Sequence, residues 1–198
     1  MRVKMKELMH PFFLASASPR RLVLLQQVGL NPIVEAPQDV DEKNRVWNDS
    51  EEMVKELSFE KAKSIFDLKK KPSIVLGADT VVVLKDEILG KPDSPSDAKA
   101  MLEKLSGEEH RVLTGVSLFC GERIFQEVVI TSVKFRPLKE DEVLSYIHSK
   151  EPLDKAGAYG IQGFGSIFVE EIKGCYFNVV GLPLARLWKM LDKAGAFR

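Results

Sequence analysis

The sequence predicts an α/β protein built on a mixed β-sheet, and three observations carry that expectation. Short apolar runs such as Phe12–Ala15 and Ser73–Leu76 alternate with amphipathic stretches of helical period. Helix-start signals recur at Ser18-Pro19, Ser50 and Ser94-Pro95. Two pairs of strand-like runs are joined by short polar turns, which makes hairpins and rules out a purely parallel sheet.

Phe12–Ala15 reads as a buried strand. Ser18 and Pro19 supply an N-cap and a first helical residue for a helix over Arg20–Val28, ended by Gly29. Residues 36–49 carry Pro37, Asp39, Asp41, Glu42 and Asn44 and read as a polar loop. Ser50 is the expected cap of a second helix with Met53, Val54, Leu57, Ala62 and Ile65 on its apolar stripe. A buried strand at Ser73–Leu76 follows, then a hairpin of Val81–Leu84 and Ile88–Leu89 around Lys85-Asp86-Glu87. The third helix runs from Pro95 to Leu105. Val112–Cys120 and Ile124–Phe135 form a second hairpin turning at Gly121-Glu122. A fourth helix is expected at Lys139–Ser149, β-structure at Ile167–Ile172 and Tyr176–Val180, and a last helix from Pro183.

At 198 residues the chain can bury a substantial core as one domain or two intimate lobes, and no linker or repeat divides it. The 29 basic and 29 acidic residues balance, so no electrostatic footprint points to long nucleic acid or an anionic membrane. No apolar run reaches the roughly 20 residues of a membrane span. Arg2, Lys4 and Lys6 ahead of Phe12–Ala17 mimic a secretion signal, but the apolar segment is short and fronted by His10-Pro11, so no signal is assigned. Cys120 and Cys175 belong to no Cys-x-x-Cys motif and read as small core residues of a reducing compartment. The three histidines are scattered, so neither a zinc cluster nor a Ser/His/Asp triad is legible. Neither a P-loop nor a Gly-x-Gly-x-x-Gly fingerprint occurs.

Three segments could carry chemistry. In Leu14–Arg21 a strand ends in the hydroxyls of Ser16 and Ser18, and a helix opens on Arg20 and Arg21. Helix N-termini attract phosphate, and arginines there oppose the dipole, so an anionic ligand explains them better than a solvated face does. In Gly77-Ala78-Asp79-Thr80 a carboxylate sits between apolar runs, where a metal ion, a proton or hydrogen bonds must compensate its desolvation. Asp154–Gly163 holds three glycines among Lys155, Tyr159 and Gln162, with the glutamine expected at a buried position. Its amide has both donor and acceptor faces, as reading a nucleobase edge requires. Lys91 in Gly90-Lys91-Pro92 and the neighbours Arg45, Glu60 and Lys61 fit either a solvated face or a site. So do Asp39, Asp41 and Glu42, which could add a metal ligand.

These blocks, with Asn178-Val179-Val180-Gly181-Leu182-Pro183, resemble in order and over nearly the whole chain the Maf family of nucleotide pyrophosphatases. The resemblance implies an elongated α/β fold with helices flanking a mixed sheet, two lobes around a cleft, similar to the inosine triphosphate pyrophosphatases. It implies cytoplasmic hydrolysis of nucleoside triphosphates to monophosphate and pyrophosphate with a divalent cation (Mg, Mn or Co). Ala158-Tyr159-Gly160-Ile161-Gln162-Gly163 looks like the branch acting on dTTP and UTP, not the one acting on 7-methyl-GTP. By the same resemblance Asp79 is the proton acceptor, and Arg20, Thr80 and Gln162 set substrate specificity. Ser16, Ser18, Arg21, Lys61, Lys91 and Lys155 line the pocket, and Glu42 joins Asp79 at the metal. The following Lys43-Asn44-Arg45 departs from the family's commoner neighbours at that acid. The same reaction on a modified nucleotide, and a nucleotide-binding regulator of cell division, are the alternatives. A homodimer is a compatible assembly that the sequence does not decide.

Overall fold

The computed structural model describes residues 7–38, 40–41 and 45–198. The seven strands are β1 (Phe12–Ala15), β2 (Ile33–Glu35), β3 (Ile74–Leu84), β4 (Glu87–Leu89), β5 (Glu109–Cys120), β6 (Arg123–Phe135) and β7 (Val169–Lys173). They form one mixed sheet in the order β2-β1-β3-β5-β6-β7, with β4 paired to β3. β1 runs parallel to both β2 and β3, whereas β4 lies antiparallel to β3 and β7 antiparallel to β6. The helices are α1 (Pro19–Gln27), α2 (Ser50–Phe66), α3 (Pro95–Leu105), α4 (Glu140–His148), α5 (Tyr176–Val180) and α6 (Leu184–Lys193). Three short 3₁₀ turns cover Glu151–Asp154, Ala156–Ala158 and Phe164–Phe168.

By its internal contacts the chain divides into two compact units. The first comprises residues 7–79, 114–128 and 181–198 within the described part, and the second residues 80–113 and 129–180. In the first unit, α2 lies against the sheet at backbone distance. A Cβ built on Gly77 of β3 would sit 2.1 Å from the Ser58 carbonyl oxygen, and one on Gly115 of β5 would sit 2.0 Å from that of Val54. Only glycine admits such an approach. Phe119 packs at 5.2 and 5.1 Å ring separation from Phe59 and Phe66 of α2, over a floor of Ala15, Ala62, Ile65 and Val75. Ser58, buried on the inner face of α2, donates to the Lys55 carbonyl and shares a 2.9 Å hydrogen bond with Ser117 of β5.

The second unit is built round aromatic side chains. Phe135 of β6 meets His110 edge-on at 4.9 Å, Tyr159 at 4.7 Å and Phe168 at 6.0 Å. His110 Nε2 is 2.9 Å from the Tyr159 hydroxyl, and burial pushes the imidazole down to about 4. α3 packs on α4, with Lys99 bridging to Glu140 at the surface.

Four local expectations change. The second helix is capped by Asp49, not Ser50: the Asp49 carboxylate accepts from Glu51 N at 2.8 Å, and Ser50 is the first helical residue. The runs Ser73–Leu76 and Val81–Leu84 are one strand, β3, so Asp79 and Thr80 lie inside it instead of in a connecting turn. Tyr176–Val180 is helical despite its β-branched residues. Tertiary context overrides propensity there: Asn178 is buried, and its amide donates to the Val112 carbonyl at 3.0 Å and to Thr131 Oγ1 at 3.1 Å. Of the two free cysteines, Cys120 is buried as expected, while Cys175 is only half-buried.

Replacing Gly77 or Gly115 by Ala forces α2 off the sheet and should destabilise the protein by about 1–3 kcal/mol each. Gly90, whose Cβ would meet nothing within 4 Å, is the control: Gly90→Ala should leave the urea midpoint unchanged. Equal midpoints for all three variants would contradict the close packing.

His110 also gives the fold a pH dependence. Its folded pKa of about 4 lies below the unfolded value of 6.5, so between these the unfolded chain binds the extra proton. Stability therefore declines as pH falls from about 6.5 towards 4, and this contribution is flat above that window. Urea titrations from pH 4.5 to 7.5 should show a shallower acid loss in His110→Gln than in the parent.

Candidate active site

In the first unit the chain leaves β1 at Ala15 and turns through Ser16-Ala17-Ser18 into α1. Ser18 takes the N-cap position, but its side chain makes no cap. The turn is held instead by buried Ser16, whose Oγ accepts from Ser18 N at 3.2 Å and from Arg21 Nη1 at 3.0 Å. Arg21 is buried too and donates through Nε to the Gly181 carbonyl at 2.9 Å. Arg21 is thus a brace between the turn after β1 and the chain entering α6. Arg20 is half-buried on the first turn of α1, which carries no acidic residue of its own.

Asp79 lies where β3 passes from the first unit into the second, with its side chain 10% exposed. Its Oδ1 accepts from Lys61 Nζ at 2.6 Å, and that lysine, on α2, is 7% exposed. The close seat of α2 on Gly77 places the pair: Lys61 precedes Ala62, whose nitrogen is among the nearest atoms to the absent Gly77 Cβ. A buried carboxylate and ammonium at this separation fix each other's orientation, and either alone would be a costly buried charge.

The second unit carries Thr80, Lys91, Lys155 and Gln162. Thr80 follows Asp79 on β3 and is half-buried. Lys91 is exposed just after β4, and the Gly90 carbonyl beside it accepts from Gly157 N at 2.9 Å. That contact ties the Gly-Lys-Pro turn to the glycine-rich segment. Gly157 has φ of +66°, and its absent Cβ would lie 2.8 Å from Val82 Cγ2. Ala158 adopts a φ of +57°, a strained setting for an alanine, and is fully buried. The Lys155 ammonium donates to the Glu151 carbonyl and, at 2.7 Å, to Asp154 Oδ1. Lys155 therefore braces its own segment.

Gln162 is exposed, contrary to the buried position expected. The turn around it supplies the rigidity that burial would have given. Gly160 N donates to the Tyr146 hydroxyl, that hydroxyl donates to Glu151 Oε1, and Glu151 Oε2 accepts from Phe164 N, each at 3.0 Å. Burial chiefly pushes the Tyr146 phenol up, with Glu151 adding to the shift, so it stays a donor at neutral pH. Tyr146, Glu151 and His110 are supports that sequence reasoning missed. Glu151-Pro152 directly before the glycine-rich block was the available signal for the acid.

Glu42 and Asp39 fall outside the described residues. Among the described residues no group of three or more His, Cys, Asp or Glu side chains is set to hold a metal ion. No helix among them is long and apolar enough to cross a membrane.

The first unit thus holds a strand running into a helix N-terminus and a buried Asp–Lys pair, and the second holds a braced glycine-rich turn. A family model described as "Maf-like protein" matches residues 11–194, across both units, and the chain belongs to that family. It is 48% identical over 193 residues to the dTTP/UTP pyrophosphatase of Acetivibrio thermocellus, covering 92% of this chain and 94% of that protein. It is 49% identical over 183 residues to the protein of the same name from Thermotoga petrophila, covering 92% and 88%. The fold is similar to that of a HAM1 protein from Coxiella burnetii, with a TM-score of 0.51 at 14% identity over 93% of this chain and 100% of that one.

The Lys61–Asp79 geometry predicts a stability signature. Asp79→Asn leaves the lysine charge buried without its carboxylate and should cost about 3–5 kcal/mol. Adding Lys61→Met should return much of that loss. A double-mutant cycle by denaturant unfolding that shows simple additivity would contradict the pairing.

Proposed function

We propose that this chain hydrolyses dTTP and UTP to the nucleoside monophosphate and pyrophosphate. The observation that carries the reading is the Asp79 carboxylate, buried on β3 and oriented by Lys61. The chain around it matches dTTP/UTP pyrophosphatases over more than nine-tenths of its length. Water attacks the α-phosphorus, the bond from that phosphorus to the α,β-bridging oxygen breaks, and pyrophosphate leaves with the bond's electron pair. Asp79 accepts the proton from the attacking water. Arg20 and the first turn of α1 take triphosphate oxygens, with Ser16 and Ser18 shaping the turn and Arg21 bracing it. Lys91 is a further cation for the triphosphate by the family resemblance, and Lys155 holds the loop that carries Gln162.

One buried carboxylate suits a hard cation that draws its other ligands from phosphate oxygens and water, as Mg²⁺ commonly does. Asp79, with Glu42 as its partner, would hold such an ion. When bound, it supplies charge that stabilises the phosphate oxygens and the leaving pyrophosphate.

Gln162 meets the base. Uracil and thymine present an acceptor–donor–acceptor edge, and one amide can donate to a carbonyl while accepting from N3–H. Cytosine reverses two of those positions, and each mispaired buried group costs about 1–3 kcal/mol. Thr80 and backbone groups of the glycine-rich turn fix the amide's sense.

The test is pyrophosphate release from a nucleotide panel with Mg²⁺, Mn²⁺ or Co²⁺. Turnover of UTP and dTTP should exceed that of CTP by tenfold or more. Asp79→Asn, assayed where circular dichroism shows it folded, should lose about 10²–10⁴-fold in kcat. Binding of dTTP by the parent without turnover would overturn the enzymatic reading. An Asp79→Asn variant within about tenfold of the parent would remove Asp79 from the chemistry.

A further inference from the structure

Both ends of the Gln162 turn converge on one carboxylate. At the leading end, Gly160 N donates to the Tyr146 hydroxyl, which in turn donates a hydrogen bond to Glu151 Oε1. At the trailing end, Phe164 N donates to Glu151 Oε2. Both carboxylate oxygens are thus engaged. The space beneath the turn is equally tight, since a Cβ on Gly163 would lie 2.2 Å from Glu151 Oε1. Tyr146 is fully buried and held edge-on to Phe168 at 5.2 Å, so the support does not drift. Phe164 stacks on the same tyrosine ring at 5.9 Å and 22°. An exposed glutamine flanked by glycines would otherwise sample many orientations, and a freely rotating amide reads no base.

We propose that Glu151, acting through Tyr146 and Phe164 N, is a positioning residue that sets base preference by locking the 160–164 turn in the one orientation from which Gln162 meets the pyrimidine edge. The inference rests on the reading that Gln162 contacts the base. A carboxylate is the group the geometry requires, because it accepts at both oxygens. Glutamine keeps an acceptor for Phe164 N but offers Tyr146 a donor in place of an acceptor. The phenol, already accepting from Gly160 N, then has no partner for its proton. Alanine frees both ends of the turn.

The variants are Glu151→Ala, Glu151→Gln, Tyr146→Phe and Gln162→Ala, each with kcat/KM measured for UTP and CTP. Amide exchange is followed at Gly160 and Phe164, with Ile74 and Leu113 as core references. Glu151→Ala should bring the UTP-to-CTP ratio down to about that of Gln162→Ala, from the tenfold or more of the parent. Glu151→Gln should lie between, and Tyr146→Phe should weaken the ratio with loss of protection confined to the Gly160 end. Exchange at both turn amides should rise at least ~tenfold in Glu151→Ala while the core references hold. If Gln162→Ala collapses the ratio but Glu151→Ala keeps it, the positioning role is wrong. An equal loss on UTP and CTP with the ratio intact reduces Glu151 to a structural support and also overturns it. A ratio unchanged in Gln162→Ala is a different failure: the base reading itself falls, and this inference with it.

Discussion

The seat of α2 on the sheet is the constraint on which the Lys61–Asp79 pair depends. Two glycines, Gly77 and Gly115, let helix carbonyls approach the strands where any side chain would collide. A helix held off by even one methyl group would lengthen the path from Lys61 to Asp79 and let water between them. At 2.6 Å and buried, the pair is instead an oriented unit whose geometry is set by backbone packing and not by flexible side chains. Ser58 and Ser117 share their hydrogen bond on the same interface and so satisfy polar atoms that the close approach would otherwise strand.

The second unit solves a different problem. A group that meets a ligand must be accessible, and a group that discriminates must be rigid. Gln162, the proposed reader of the base, is exposed, and the segment that carries it is held by Tyr146, Glu151 and Lys155 beside the strained Ala158. Much of the conspicuous glycine-rich motif is therefore scaffold. Lys155 and Arg21, which read from sequence as cations awaiting phosphate, both spend hydrogen bonds on the protein's own oxygen atoms. A motif residue can serve a site by holding the residue beside it.

The alternation of elements, both hairpins and most helix bounds were legible because they rest on local chemistry: Ser94 accepts from Asp97 N as a cap should, and Gly121 turns at a φ of +59°. The family was legible from chemical types in a recognisable order. What escaped depends on contacts distant in sequence. No local signal distinguishes Asp79 in the middle of a long strand from Asp79 in a turn, because Gly77-Ala78-Asp79-Thr80 has turn-like composition, and the strands that flank β3 in the sheet, β1 and β5, lie elsewhere in the chain. Helix α5 escaped for the same reason: the carbonyl and hydroxyl that hold Asn178 belong to Val112 and Thr131. The mutual bracing of Tyr146, Glu151 and Phe164 needs three elements folded before it exists.

The brace from Arg21 to the Gly181 carbonyl joins positions 160 residues apart. On the ribosome, the turn after β1 emerges well before its anchoring carbonyl, which follows 160 residues later. The strand β5, which carries Gly115 beneath α2, also follows long after the helix it must receive. A chain stalled before Gly181 therefore holds Ser16, Ser18 and both arginines without the carbonyl that anchors Arg21, and the turn after β1 gains its brace only once synthesis reaches the entry to α6.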